Sequence, residues 1–185
     1  MIRSLAAILI ALLIVGAVAL PAQGDAITSS GSLTGTSTLK ATSSPAVFES
    51  TFTGTGTDLV FGPFTSTNMA TLTFTSLTAF TSSGTFVDVL AGGTVFGTFT
   101  GSGTVSGDTT AITINSVLTG GTGIFAGDRG TSTITGVSTA TSSTTSSFTG
   151  AFITSIASVP EPGTVTLLPA GIGFLLAMRK RWTRA

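Results

Sequence analysis

Five acids offer the only route to acid–base chemistry in the middle of this sequence: Glu49, Asp58, Asp88, Asp108 and Asp128. The chain has no histidine, cysteine or tyrosine, so the usual general base, thiolate nucleophile and phenolic acid are all missing. A Ser-His-Asp arrangement cannot be assembled, and a paired-carboxylate mechanism would need two of these acids to meet in a cleft. Most of them sit beside turn residues, as in Gly56-Thr57-Asp58, Gly107-Asp108 and Gly127-Asp128-Arg129-Gly130. An aspartate in such a place commonly accepts hydrogen bonds from the amides of its own turn. Asp88 differs because it lies between Val87 and Val89 in a strand-like stretch, where it faces either solvent or the interior of a barrel. The Asp-x-Asp-x-Asp spacing of calcium loops is absent, so no metal and no cofactor is expected.

The elements that would position these acids are strands. From Asp25 to Ala157 serine, threonine and glycine dominate, yet the apolar residues among them are patterned. Leu72 and Phe74 alternate with threonine, Ile112 and Ile114 with Thr113 and Asn115, and Phe148, Gly150 and Phe152 with Thr149, Ala151 and Ile153. Such alternation is the period of a strand with one wet face, and β-branched threonine suits that face. Helical periodicity is absent. Glycine-containing breaks at 53–56, 82–84, 91–93, 107–108 and 119–121 read as turns between strands. The nearly pure Ser/Thr segment 138–147 reads as a strand leading into the Phe148 pattern. The expectation is an all-β domain over residues 25–157, built from about eight to ten short antiparallel strands as a single barrel, with a β-sandwich as the alternative.

Both ends read as sorting segments. Arg3 precedes an apolar run from Leu5 to Leu20 and the small residues Ala22-Gln23-Gly24, the order of a signal peptide covering residues 1–24, with cleavage after Gly24 or Ala26. The other end, 158–185, carries Val159-Pro160-Glu161-Pro162, an apolar run at 164–178 and the basic cluster Arg179, Lys180 and Arg181. Basic residues after an apolar run are held on the cytoplasmic side, leaving the body outside. Fifteen residues of helix reach only about 22 Å against a hydrocarbon thickness of about 30 Å. Pro169, Gly171 and Gly173 weaken that span further, which favours a transient hold over a permanent anchor. The domain is therefore expected to be flanked by an N-terminal signal helix and a short C-terminal transmembrane helix.

This tripartite tail resembles the PEP-CTERM sorting signal of Gram-negative bacteria. The resemblance implies processing by an exosortase after signal peptidase, transit through the inner membrane, and delivery to the cell surface or the extracellular matrix, where polysaccharide is a candidate partner. A second resemblance rests on Gly120-Gly121-Thr122-Gly123-Ile124-Phe125 and the glycines that follow. That stretch is similar to a turn motif of the allene oxide cyclase and dirigent-like barrel superfamily. It implies an eight-stranded antiparallel barrel with a hydrophobic cavity, and makes Asp88 and Arg129 the first candidates to contact a ligand. The same glycines fail as a phosphate cradle, since no lysine and no helix follows them.

Between Asp25 and Ala157 there are only two cations, Lys40 and Arg129, against six acids, which leaves no footprint for a phosphate backbone. Nucleic acid is excluded as a partner. The expected role is non-enzymatic, an exported structural or interaction protein. A barrel holding a small hydrophobic ligand, or a dirigent-like cyclase, is the alternative. A cavity of a few hundred cubic ångströms would favour the alternative, whereas a solid core of Phe52, Phe74, Phe96, Phe99 and Phe125 would exclude it. Paired threonines such as Thr71 and Thr73 also raise an ice-binding surface, which would need a flat threonine array.

Overall fold

The computed structural model describes residues 26–157; the signal-peptide and sorting-tail expectations fall outside them. Eight antiparallel strands follow one another in sequence: β1 Ile27–Ala41, β2 Val47–Asp58, β3 Gly62–Ser76, β4 Ala79–Leu90, β5 Gly93–Ser106, β6 Thr109–Gly121, β7 Arg129–Ala140 and β8 Thr145–Ala157. Each pairs with its neighbour in sequence, and β8 pairs back onto β1 from Ile27↔Ile156 to Thr38↔Thr145. The sheet thus closes on itself as a barrel with no free edge, and the sandwich alternative is set aside. One turn of 3-10 helix, η1 at Gly123–Phe125, interrupts the β6–β7 connection.

Strict alternation sorts the side chains. Leu33 on β1, Phe64 on β3, Phe86 on β4, Phe99 on β5, Leu118 on β6, and Phe148 and Phe152 on β8 point inward and are buried, while threonine occupies most outward positions. This is the inverse of a lipid-embedded barrel, whose apolar residues face out. The outward threonines fall in register across strands, as in the row Thr149–Thr34–Thr55–Thr65 over β8, β1, β2 and β3. The row follows the curve of a closed barrel, so it does not form the flat array an ice surface needs.

Eight strands enclose a lumen just wide enough for side chains. The phenylalanines that point inward cannot crowd into it unless some facing positions carry no side chain at all. Glycine supplies that room. A Cβ placed on Gly136 or Gly150, which pair across β7 and β8, would sit 2.6 Å from Cζ of the Phe148 ring. The atoms nearest to a Cβ on Gly103 would be those of the ring of Phe80, its partner across β4 and β5. The rings in turn meet edge to face: Phe52–Phe148 at 5.9 Å, Phe64–Phe152 at 5.7 Å and Phe61–Phe125 at 5.4 Å between centroids. Such pairs contribute about 0.5–1.5 kcal/mol beyond the area they bury.

Several glycines expected in turns are therefore lumen residues. Gly54 and Gly56 lie inside β2 and Gly84 inside β4, whereas Gly92 and Gly107 do occupy connections, Gly107 with φ +59°, and Gly93 opens β5. Segment 71–80 is not one strand: β3 ends at Ser76, and Leu77 sits at the tip of the β3–β4 turn, 96% exposed. Segment 138–147 likewise divides into the end of β7, a turn at 141–144 and the start of β8. Phe96 points outward, 39% exposed, because Val95 and Gly97 take the inward positions on either side of it; the pairing with β6 shifts register at this point.

The barrel has two unlike ends. The connections β1–β2, β3–β4, β5–β6 and β7–β8 gather at one, here called the mouth. The other carries the connections β2–β3, β4–β5 and β6–β7 together with Ile27 and Ala157, where the chain enters and leaves the barrel. There Phe125, only 2% exposed, and Phe61 stack edge to face and close the lumen.

Overpacking a core position costs about 1–3 kcal/mol. Gly103→Ala is therefore expected to lower stability by about that amount in urea titrations, and the loss should shrink when Phe80 is replaced by leucine, giving a measurable coupling between the two sites.

Candidate functional site

The lumen is not filled along its whole length. Two apolar clusters surround its middle and closed end, one of Phe86, Val95, Phe99, Leu118, Phe125 and Ile156, the other of Leu33, Phe64, Phe148 and Phe152. Toward the mouth the interior leaves a cavity of about 250 Å³. Its wall is mainly hydrocarbon, including Leu39, Phe52, Leu72, Phe74, Phe80 and Ile112, and it reaches the turns at Gly107–Asp108 and 142–145. Its polar groups partly satisfy one another: the Ser37 and Ser50 hydroxyls are 2.8 Å apart, and Ser138 Oγ donates to Ser146 Oγ at 2.9 Å. For scale, an apolar cavity of about 150 Å³ takes up benzene, and drug-sized ligands need about 300 Å³ or more. The wide cavity suits a small apolar molecule.

A second space of about 70 Å³ lies toward the closed end. Asp88 lines it, together with Asp58, Ser66, Asn68, Ser116 and Ser132 among mostly apolar neighbours. Of the two orientations open to Asp88 from the sequence, the structure takes the inward one, because β4 alternates Phe86, Asp88 and Leu90 into the lumen and Val87 and Val89 out. The Asp88 Oδ1 atom is buried and has no hydrogen-bond partner. Ser66, opposite Asp88 on β3, has a single hydroxyl proton to share between this carboxyl and Asn68 Oδ1, 3.2 Å away. Desolvation pushes the Asp88 carboxyl up from the ordinary 3.8 to about 6, and the Ser66 hydroxyl only partly offsets it.

The remaining candidates lie elsewhere. Asp58 is buried but fully engaged: Ser29 Oγ donates to one oxygen at 2.7 Å, and the amides of Val60 and Phe61 donate to the other at 2.8 and 2.9 Å. It caps the β2–β3 turn. Arg129 is exposed at the start of β7 and donates to the backbone carbonyls of Asp128 at 2.9 Å and Gly127 at 3.4 Å. Asp88 and Arg129 therefore do not converge. Gly120 and Gly121 end β6, while Thr122, Gly123 and Phe125 build η1, with Gly123 at φ +63°. The Thr122 hydroxyl lies 2.7 Å from that of Thr94 and ties η1 to β5. Among the described residues no three acids gather as a metal site. Val159–Pro162 and Arg179–Arg181 lie outside the described residues. The mouth cavity itself was invisible to sequence reasoning, since it arises from where rings and glycines fall around the barrel.

The folded protein holds the Asp88 proton more tightly than the unfolded chain does. Its contribution to stability is thus fully present below about pH 4 and is lost as pH rises through about 6, a difference of about 3 kcal/mol. Asp88→Asn, which keeps the shape and removes the charge, is expected to raise Tm at pH 7 and to flatten the decline between pH 4 and 6 in thermal melts.

No family model, no curated protein and no solved structure matches this chain.

Proposed function

We propose that this chain is an exported, non-enzymatic binding barrel that holds a small apolar molecule in the cavity at its mouth. The observation that carries this reading is the cavity itself, about 250 Å³ of largely hydrocarbon-lined space beneath the turns at 107–108 and 142–145. A domain with only a structural role would gain stability by packing that space, since each unfilled cubic ångström costs about 24 cal/mol. The lumen supports binding better than catalysis, because among the described residues Asp88 Oδ1 is the one buried acid oxygen without a partner and Arg129 stands outside. The cyclase alternative finds no converging pair here. For delivery, the tail with Val159–Pro162, the apolar run and Arg179–Arg181 supports export, exosortase processing and release to the cell surface or extracellular matrix.

Uptake is tested with 1-octanol as the probe, by calorimetry and by the rise in Tm that ligand binding to the folded state produces. Binding is expected for the native protein and should be lost in Leu72→Trp, which fills the cavity, but kept in Thr73→Ser on the outer face. Absence of octanol binding to the folded native protein overturns the reading. Delivery is tested separately, by the mass of the protein recovered from its native host, where loss of both end segments is expected and an intact cytosolic chain would refute it.

A further inference from the structure

The wide cavity and the small space at Asp88 are not independent. Both are lined by Leu33, Asn68, Phe99, Ile114 and Ile134, so they adjoin inside the barrel and share that part of their walls. The far end is plugged by Phe61 and Phe125, which leaves the mouth as the way in. A molecule entering there with its hydrocarbon in the wide cavity points its leading end at Asp88.

What waits there is an uncompensated acid. Both cations of the described residues are on the outside: Lys40 pairs with Glu49 at 3.2 Å on the exposed face of β1 and β2, and Arg129 binds backbone carbonyls. Asp58, the other acid on this space, already receives three donors, so it draws nothing further. Asp88 Oδ1 receives none. A buried carboxylate with no counter-charge, and with one oxygen lacking any donor, is a costly arrangement, and a ligand that supplies both relieves it. A hydroxyl would donate a hydrogen bond but leave the charge; an ammonium group does both, through the stronger charge-assisted bond. Its remaining N–H groups find acceptors in Asn68 Oδ1 and the Ser116 hydroxyl, which line the same space.

From this adjacency we infer that the ligand is an amphiphilic amine, seated with its hydrocarbon in the mouth cavity and its ammonium head on Asp88; this rests on the ligand-binding reading above. The test compares octylamine, 1-octanol and octanoate by calorimetry on the full chain at pH 7.5. Octylamine is expected to bind at least tenfold more tightly than 1-octanol and octanoate most weakly. Asp88→Asn should bring octylamine down to the level of octanol while leaving octanol unchanged. Equal binding of octylamine and octanol by the native protein overturns the inference but leaves the apolar-cavity reading standing. An amine preference that survives in Asp88→Asn also overturns it, since the head would then sit elsewhere. Failure of every probe to bind removes both. The comparison on the native protein decides even if the variant does not fold.

Discussion

The barrel depends on one steric exchange: six phenyl rings, those of Phe52, Phe64, Phe80, Phe86, Phe148 and Phe152, enter the lumen against glycines that give up a side chain. Phe148 lies against Gly136 and Gly150, and Phe80 against Gly103. Neither partner makes sense alone. Glycine inside a strand forfeits packing and loses more backbone freedom on folding than any other residue, roughly 0.5–1 kcal/mol relative to alanine. A buried phenylalanine returns about 1.5–3 kcal/mol through the surface it hides. The exchange is favourable pair by pair, and with no cysteine in the chain it has to suffice without covalent help.

The same exchange explains why the lumen is packed at one end and hollow at the other. Where rings and glycines alternate between facing strands, as around Phe64 and Phe152, the interior closes and edge-to-face contacts form. Near the mouth, serine and alanine take inward positions at Ser37, Ser50, Ala70, Ser82, Ser138 and Ala140. These side chains are too large to admit a ring and too small to meet across the lumen. The cavity is thus the region where these small side chains interrupt the rings, with Phe52, Phe74, Phe80 and Phe148 left to line its wall.

Much of this was legible from residue order. Alternation at Leu72–Phe74, Ile112–Ile114 and Phe148–Phe152 gives the inward face of β3, β6 and β8 correctly, because a period of two leaves little freedom once one face must be dry. The acid that reaches the lumen, Asp88, stood out for sitting among valines. What resisted reading was glycine. In Gly54, Gly56 and Gly84 the residue looks like punctuation, since turns use it for positive φ, but here its use is the missing side chain. Phe96 misled for a related reason: hydrophobicity implies an interior, while parity along β5 decides the side, and Val95 and Gly97 hold the inward places. The β3–β4 hairpin turns at Leu77 and Thr78 with no glycine or proline to mark it, so it left no sign in the residue types.

Ile27 and Ala157 sit on adjacent strands at the plugged end, and the mouth lies at the other. Within the described residues the chain therefore enters and leaves the barrel at the same pole, beside the plug of Phe61 and Phe125. The opposite rim is made of hairpin turns alone, so no end of the barrel's polypeptide crosses the opening.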